Sequence, residues 1–178
     1  KMPPIFRSPA WGNGTSKSFG HLSNAGAGSQ ASSASASITP TAKLSFPGQN
    51  RTVLAVTDAA GESLAFGPTL MAASVKPGAR GVAVFAAHRD THFAFLKDVK
   101  PGDEIAVESR DGARRFRVTG SQIVRWDASG IQTHDGGAPR IALVTCWPLD
   151  AKTPGPMRYV VWAELTPEPL SASTPSQV

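Results

Sequence analysis

The sequence predicts a mostly β domain, a sandwich or a barrel with short helical turns, and three observations carry the prediction. Short apolar or alternating runs recur from residue 43 to residue 165. Glycine and proline punctuate them at Pro47-Gly48, Gly67-Pro68, Pro77-Gly78 and Pro101-Gly102, where tight turns use these residues. Two of the runs, Val82–Ala87 and Ile141–Cys146, are almost without polar residues, as buried strands are. Strands this short, separated this way, suit a sandwich or a barrel.

The elements follow in order. Lys43-Leu44-Ser45-Phe46 alternates and opens the body, and Pro47-Gly48 stops it. Thr52–Val56 is the second strand. Glu62–Phe66 suits one helical turn before Gly67-Pro68, and Val82–Ala87 is a buried strand that ends on His88. Phe93-Ala94-Phe95-Leu96 suits another helical turn, stopped by Val99-Lys100-Pro101-Gly102-Asp103, with Asp90 as its expected cap. Glu104–Ser109 is a strand, followed by a turn at Asp111-Gly112. Arg114–Trp126 is a long β segment with a bend expected near Gly120, and Arg114, Arg115 and Arg117 read as solvent-facing charges on it. A polar, glycine-rich loop covers 127–139, where His134 and Asp135 are expected in solvent. Apolar strands over 140–146 and 158–165 complete the domain, and no internal repeat is present.

Three regions emerge. Residues 1–40 read as a flexible linker, because Ala25–Ser37 is almost wholly Ala, Ser and Gly and has no apolar face to bury. Residues 41–166 form the folded body. Residues 167–178, rich in Pro, Ser and Thr, read as a disordered tail. The formal charge is +5, but residues 1–50 hold four basic and no acidic residues, whereas the remainder holds 14 basic and 13 acidic ones. The excess charge therefore sits mostly ahead of the body. With no basic stripe interleaved with aromatics, the charge argues against a nucleic-acid partner. One cysteine excludes an internal disulfide. No apolar stretch approaches the roughly 20 residues that span a bilayer. The chain begins with Lys1, so a signal peptide or anchor is expected upstream.

Three strand ends carry reactive groups. Cys146 closes the run Ile141-Ala142-Leu143-Val144-Thr145-Cys146, Arg158 opens the run Tyr159-Val160-Val161-Trp162, and His88 ends Val82–Ala87. A buried core cysteine is the commoner fate of a free thiol, but Trp147-Pro148 should leave this one at a strand end that a cleft can reach. A thiol with a pKa of about 8.5 needs a cation or a base beside it to act as a nucleophile. If the flanking strands pair as antiparallel neighbours, Cys146 and Arg158 face one rim across a loop with Pro148, Pro154 and Pro156. A guanidinium there could stabilise an oxyanion; a solvated strand-edge arginine is the other reading. An imidazole titrates near neutral pH, so His88 could protonate a leaving amine and deprotonate an incoming one. His88 and His92 also stand four apart, as in a zinc helix, but Arg89 replaces the glutamate of H-E-x-x-H and no third ligand is apparent, so no metal is expected.

These residues resemble a sortase. Leu143-Val144-Thr145-Cys146 is similar to that family's TLxTC motif, and Ala87-His88-Arg89-Asp90-Thr91-His92-Phe93 to its G-H-R-D-T-H-F segment. Arg158-Tyr159-Val160-Val161 falls where the family has its arginine and final strand. The likeness covers roughly residues 41–166. Leu64–Pro68 and Cys146-Trp147-Pro148-Leu149-Asp150-Ala151 look most like the Gram-negative (class GN) sortases. The chain departs from the pattern at Ala142, in place of the first Thr of TLxTC, at Ala87, in place of Gly, and at Gly67-Pro68-Thr69-Leu70, which lacks a Gly-His.

The resemblance implies an eight-stranded β-barrel and a membrane-anchored cysteine transpeptidase. By analogy Cys146 attacks the Thr–Gly carbonyl of an LPxTG-like sorting signal, His88 protonates the departing amine, and an amine acceptor resolves the thioester. Arg158 holds the peptide and the oxyanion. Ala87, Val144, Thr145 and Trp147 would contact the peptide, and the loops 127–139 and 147–157 would border the cleft. No cofactor is implied. The partners are a protein carrying a C-terminal sorting signal and an amine acceptor. The location is the outer, periplasmic side of a membrane, reached through a single-pass anchor. The same site could instead release peptide to water as a thiol hydrolase, or the barrel could bind extended peptides without catalysis.

Overall fold

The computed structural model describes residues 40–57, 64 and 66–167. The expected linker before residue 40, most of the helical turn at Glu62–Phe66 and nearly all of the tail lie outside the described residues. The rest forms an eight-stranded closed barrel: β1 Pro40–Phe46, β2 Arg51–Thr57, β3 Thr69–Leu70, β4 Val82–Ala86, β5 Glu104–Ser109, β6 Gly112–Arg125, β7 Arg140–Trp147 and β8 Met157–Leu165. Around the barrel the order is β1-β2-β3-β4-β7-β8-β6-β5, and β5 pairs with β1 to close it.

Alternation explains which residues build the interior. Leu44, Phe46, Phe85, Ile105, Phe116, Ile141 and Leu143 are fully buried in the main core. Each such side chain contributes about 1.5–3 kcal/mol of burial free energy. Arg115 and Arg117 flank buried Phe116 and stay exposed, as their strand phase requires. The register of β6 against β8 shifts between Val118 and Gly120, where the bend was expected. That bend lets one long strand pair with β5 at its start and with β8 along most of its length.

β4 and β7 run parallel, Val82 to Ala86 beside Arg140 to Val144. Their odd-numbered residues face the barrel core. The even-numbered Val82, Val84, Ala86, Ala142 and Val144 join Val160 in a second cluster on the outer face, covered by Leu64, Met71 and Ile131. Both faces are covered, which is why these two runs are apolar at nearly every position.

Two expectations need correction. The 127–139 segment is not simply a solvated loop. Ile131 and Thr133 are buried, the Thr133 hydroxyl donates to the Ala73 carbonyl at 2.8 Å, and Val82 N–H donates to the Thr133 carbonyl at 2.9 Å. His134 and Asp135 remain exposed, yet Asp135 pairs with Arg140 and accepts from Gly137 N–H at 2.9 Å. Asp90 does not cap the turn that follows it. That turn is a 3₁₀ helix, Ala94–Asp98, with no side-chain cap, and it is held by packing instead. Phe93 and Leu96 are fully buried, and Phe95 meets Phe46 edge-on at 4.8 Å between ring centroids. The segment after His88 is thus plugged into the end of the barrel. β3, only two residues long, had no counterpart in the sequence reading, since a bridge so short has no periodicity to detect.

Candidate active site

Cys146 and Arg158 are direct cross-strand partners in the antiparallel β7–β8 pair. Directly opposed side chains lie on the same face of the sheet. The face follows from alternation: Cys146 continues the outward set Ala142 and Val144, and Arg158 the outward position of Val160. On the other side of β7, Ala86 pairs with Val144, and Ala87 N–H donates to the Val144 carbonyl at 3.1 Å. His88 follows two residues after β4 ends at Ala86, on the side of β7 away from Arg158. The thiol is half-buried and His88 is exposed. The structure therefore pairs Cys146 with Arg158 beside the outer cluster of Ala86, Val144 and Val160, and ends β4 two residues short of His88 next to β7.

Arg158 is buried, at 3% exposure, an unusual place for a guanidinium. Its Nη1 donates to the carbonyls of Gly155 and Met157, both at 2.8 Å. Burial pushes its pKa below the ordinary arginine value. The Cys146 charge acts in the opposite direction, and the neighbouring Arg89 adds to the lowering. Arg158 thus places a buried cation directly across the strand pair from the thiol.

The four positions expected to touch a peptide divide by strand phase. Val144 is fully buried and lies on the face that carries Cys146. Ala87 belongs to the barrel core, and Thr145 is fully buried with its hydroxyl donating to the Ala87 carbonyl at 2.8 Å. Those two fasten β7 to the end of β4 rather than facing outward. Trp147 is half-buried and stacks on Tyr159 at 5.7 Å between centroids, on the strand face opposite Cys146. The loop after Cys146 is shorter than expected, because β7 extends through Trp147 and β8 starts at Met157. The Trp147–Pro148 peptide bond is cis.

Sequence reasoning gave Arg89 no role beyond replacing a glutamate. Its guanidinium in fact reaches across to the β7–β8 connection, with Nη1 on the Pro148 carbonyl at 3.1 Å and Nη2 on the Thr153 carbonyl at 2.8 Å. Partners 59 and 64 residues away leave no trace in local spacing. Among the described residues no three His, Cys, Asp or Glu side chains are grouped to hold a metal ion. No helix among them is long and apolar enough to cross a membrane.

The sortase domain family matches residues 44–166, the whole barrel but for the start of β1. The chain belongs to the sortase family. Sortase D of Bacillus subtilis (strain 168) is 26% identical over 91 residues, which cover 51% of this chain and 46% of that protein. Sortase A from Corynebacterium diphtheriae has a TM-score of 0.67 at 21% identity, over 75% of this chain and 64% of that one. The pilus-related sortase C of Group B Streptococcus has a TM-score of 0.63 at 21% identity, over 72% and 68%. The chain thus spans less than half of the curated relative it matches and under two thirds of the sortase A chain. At these identities the structural likeness is one of fold, and this sortase domain has the barrel of its family.

Proposed function

We propose that this chain is the catalytic domain of a cysteine transpeptidase that cleaves an LPxTG-like sorting signal and transfers the acyl fragment to an amine. The observation that carries the reading is the pairing of Cys146 with a buried Arg158; the parallel β4–β7 register, which leads the chain toward His88, supports it.

The roles follow from the chemistry of each group. The Cys146 thiolate attacks the Thr–Gly carbonyl, and the electron pair moves onto the carbonyl oxygen. Arg158 offers that oxyanion a fixed positive charge in a site of low polarity, where such charge acts most strongly. Collapse of the intermediate breaks the C–N bond. His88 gives its proton to the departing amine, and Cys146 is left as a thioester. An incoming amine then attacks the thioester, His88 takes its proton, and the thiolate is restored. Atoms and charges balance without a cofactor. The family resemblance supports a protein substrate with a C-terminal signal and a location outside the cytoplasm at a membrane. The residues Cys146-Trp147-Pro148-Leu149-Asp150-Ala151 favour a class GN type.

The test supplies LPxTG-like peptides with and without amines of several types and follows the intact protein by mass spectrometry. A mass increase on Cys146 equal to the acyl fragment, lost in Cys146→Ala, together with amine-dependent ligated product, is the expected result. Turnover at full rate without any amine would establish a hydrolase instead. A broad peptide library that never modifies Cys146 would refute both.

A further inference from the structure

The β7–β8 connection, residues 148–156, starts two residues beyond the thiol and ends two residues before Arg158. It carries Pro148, Pro154 and Pro156, which have no N–H to give, and none of its residues is buried. Inside it Ala151 N–H closes a turn onto the Pro148 carbonyl at 3.3 Å. At its far end the Pro156 carbonyl accepts from Trp126 N–H at 2.9 Å. Its middle is gripped by Arg89, whose two terminal nitrogens take the carbonyls of Pro148 and Thr153. The same connection then presents the Gly155 carbonyl to Arg158 Nη1.

A continuous line of contacts results. Arg89 follows His88 directly in the chain. It holds the connection at two points, and the connection holds Arg158. Phe93 N–H donates to the His88 carbonyl at 3.1 Å, so the turn bearing His88 and Arg89 is itself fixed to the buried plug of Phe93 and Leu96. A planar fork spanning two carbonyls is a task for arginine, because an ammonium group is a single point with no fixed separation between its donors.

We propose that Arg89 is a positioning residue that locks the β7–β8 connection to the His88 turn, so that the wall carrying the Arg158 acceptor keeps one geometry relative to His88 and Cys146. Its significance for turnover rests on the transpeptidase reading, but its central test needs no peptide. The midpoint of Cys146 alkylation against pH is measured with iodoacetamide in wild type, Arg89→Ala and Arg89→Lys. Hydrogen exchange of residues 148–156 is followed alongside. Released from the clamp, Arg158 loses its fixed relation to the thiol. Cys146 alkylation should then depart from the wild-type pH profile in both variants, with faster exchange confined to residues 148–156.

Arg89→Lys separates the clamp from mere charge, since it keeps the cation and loses the span. A lysine variant with wild-type midpoint and wild-type exchange overturns the inference, whatever the alanine variant does. Where peptide turnover is measurable, both variants should lose about tenfold or more in kcat with a smaller change in KM. Absence of all transpeptidation together with a shifted midpoint would refute the functional reading and leave the clamp standing.

Discussion

Thr145→Val is the sharpest probe of how the barrel holds the chain just before His88. The substitution is nearly isosteric and removes one hydroxyl. That hydroxyl donates to the Ala87 carbonyl at 2.8 Å, and both residues are at 0% exposure. A typical internal hydrogen bond contributes about 0.5–1.5 kcal/mol net, whereas stranding a buried acceptor costs about 1–3 kcal/mol. Water cannot reach Ala87 in the folded state, so the larger figure governs, and valine should destabilise the domain by about 1–3 kcal/mol. For a domain of this size each kcal/mol lowers Tm by about 3–6 °C. Urea unfolding followed by tryptophan fluorescence reads the loss directly, through Trp126, Trp147 and Trp162. Ala87 is the residue before His88, so the same change should lower turnover by about tenfold. Thr145→Ser is the control. It keeps the donor and loses a buried methyl, at about 1 kcal/mol, and should keep most of its activity. Valine within about 0.5 kcal/mol of wild type would refute the reasoning. So would equal loss of activity in valine and serine, because packing rather than the hydroxyl would then be responsible.

Two further outcomes are expected. Arg158→Lys should retain the fold but lower kcat/KM by about 10²–10³-fold, because lysine lacks the fork that Gly155 and Met157 orient; wild-type turnover would remove Arg158 from the site. Asp135 has a pKa held below the usual carboxylate range, first by Gly137 N–H and, against the opposing effect of desolvation, also by Arg140. Its contribution is therefore full above the unfolded value of about 3.9 and fades as pH falls through the lower folded value. Asp135→Asn should consequently lower the urea midpoint at pH 7 and match wild type near the acid limit; an equal gap at both pH values would show that the carboxylate charge is not what matters.

Much of the site was legible in the sequence because each reactive group ends a run whose period is readable. Cys146 and Arg158 need only the assumption that consecutive strands form a hairpin, and their pairing follows once the loop between them is counted. His88 was legible as a strand end but not as a neighbour. Its strand meets β7 in parallel across more than fifty residues of chain, and only the family resemblance pointed to that. The order of the 127–139 segment was hidden because its anchors, Thr133 on Ala73 and Gly81 against Thr133, are backbone-directed. Polar composition looks the same in a solvated loop and in one that lies on an apolar face. At Gly81, φ is +113° and a Cβ would come within 2.3 Å of the Thr133 carbonyl, so glycine is required there by a close approach that no local pattern reveals. Thr145 and Ala87 were assigned to the cleft because they adjoin Cys146 and His88 in sequence. In a strand, adjacency places a residue on the opposite face.

That last point explains why the site exists at all. The proposed convergence of the three groups requires two independent registers, parallel for β4–β7 and antiparallel for β7–β8, to be in phase. A slip of one residue in either would turn His88 or Arg158 toward the barrel interior, since the side-chain period is two. The hydrophobic set prevents it. Val84, Ala142, Val144 and Val160 form the outer cluster, while Phe85, Leu143 and Val161 fill the core. The two sets differ in volume, and in each strand the smaller side chains of Ala86, Ala142 and Val144 lie beneath the cleft. Exchanging the faces would drive Phe85 and Leu143 outward under Met71 and Ile131 and leave voids in the barrel, at about 2–5 kcal/mol for each large side chain displaced. The apolar residues of these strands thus set the phase that puts Cys146 and Arg158 on one face and leads β4 out toward them. The chemistry proposed for the site would depend on packing several residues below it in the sheet.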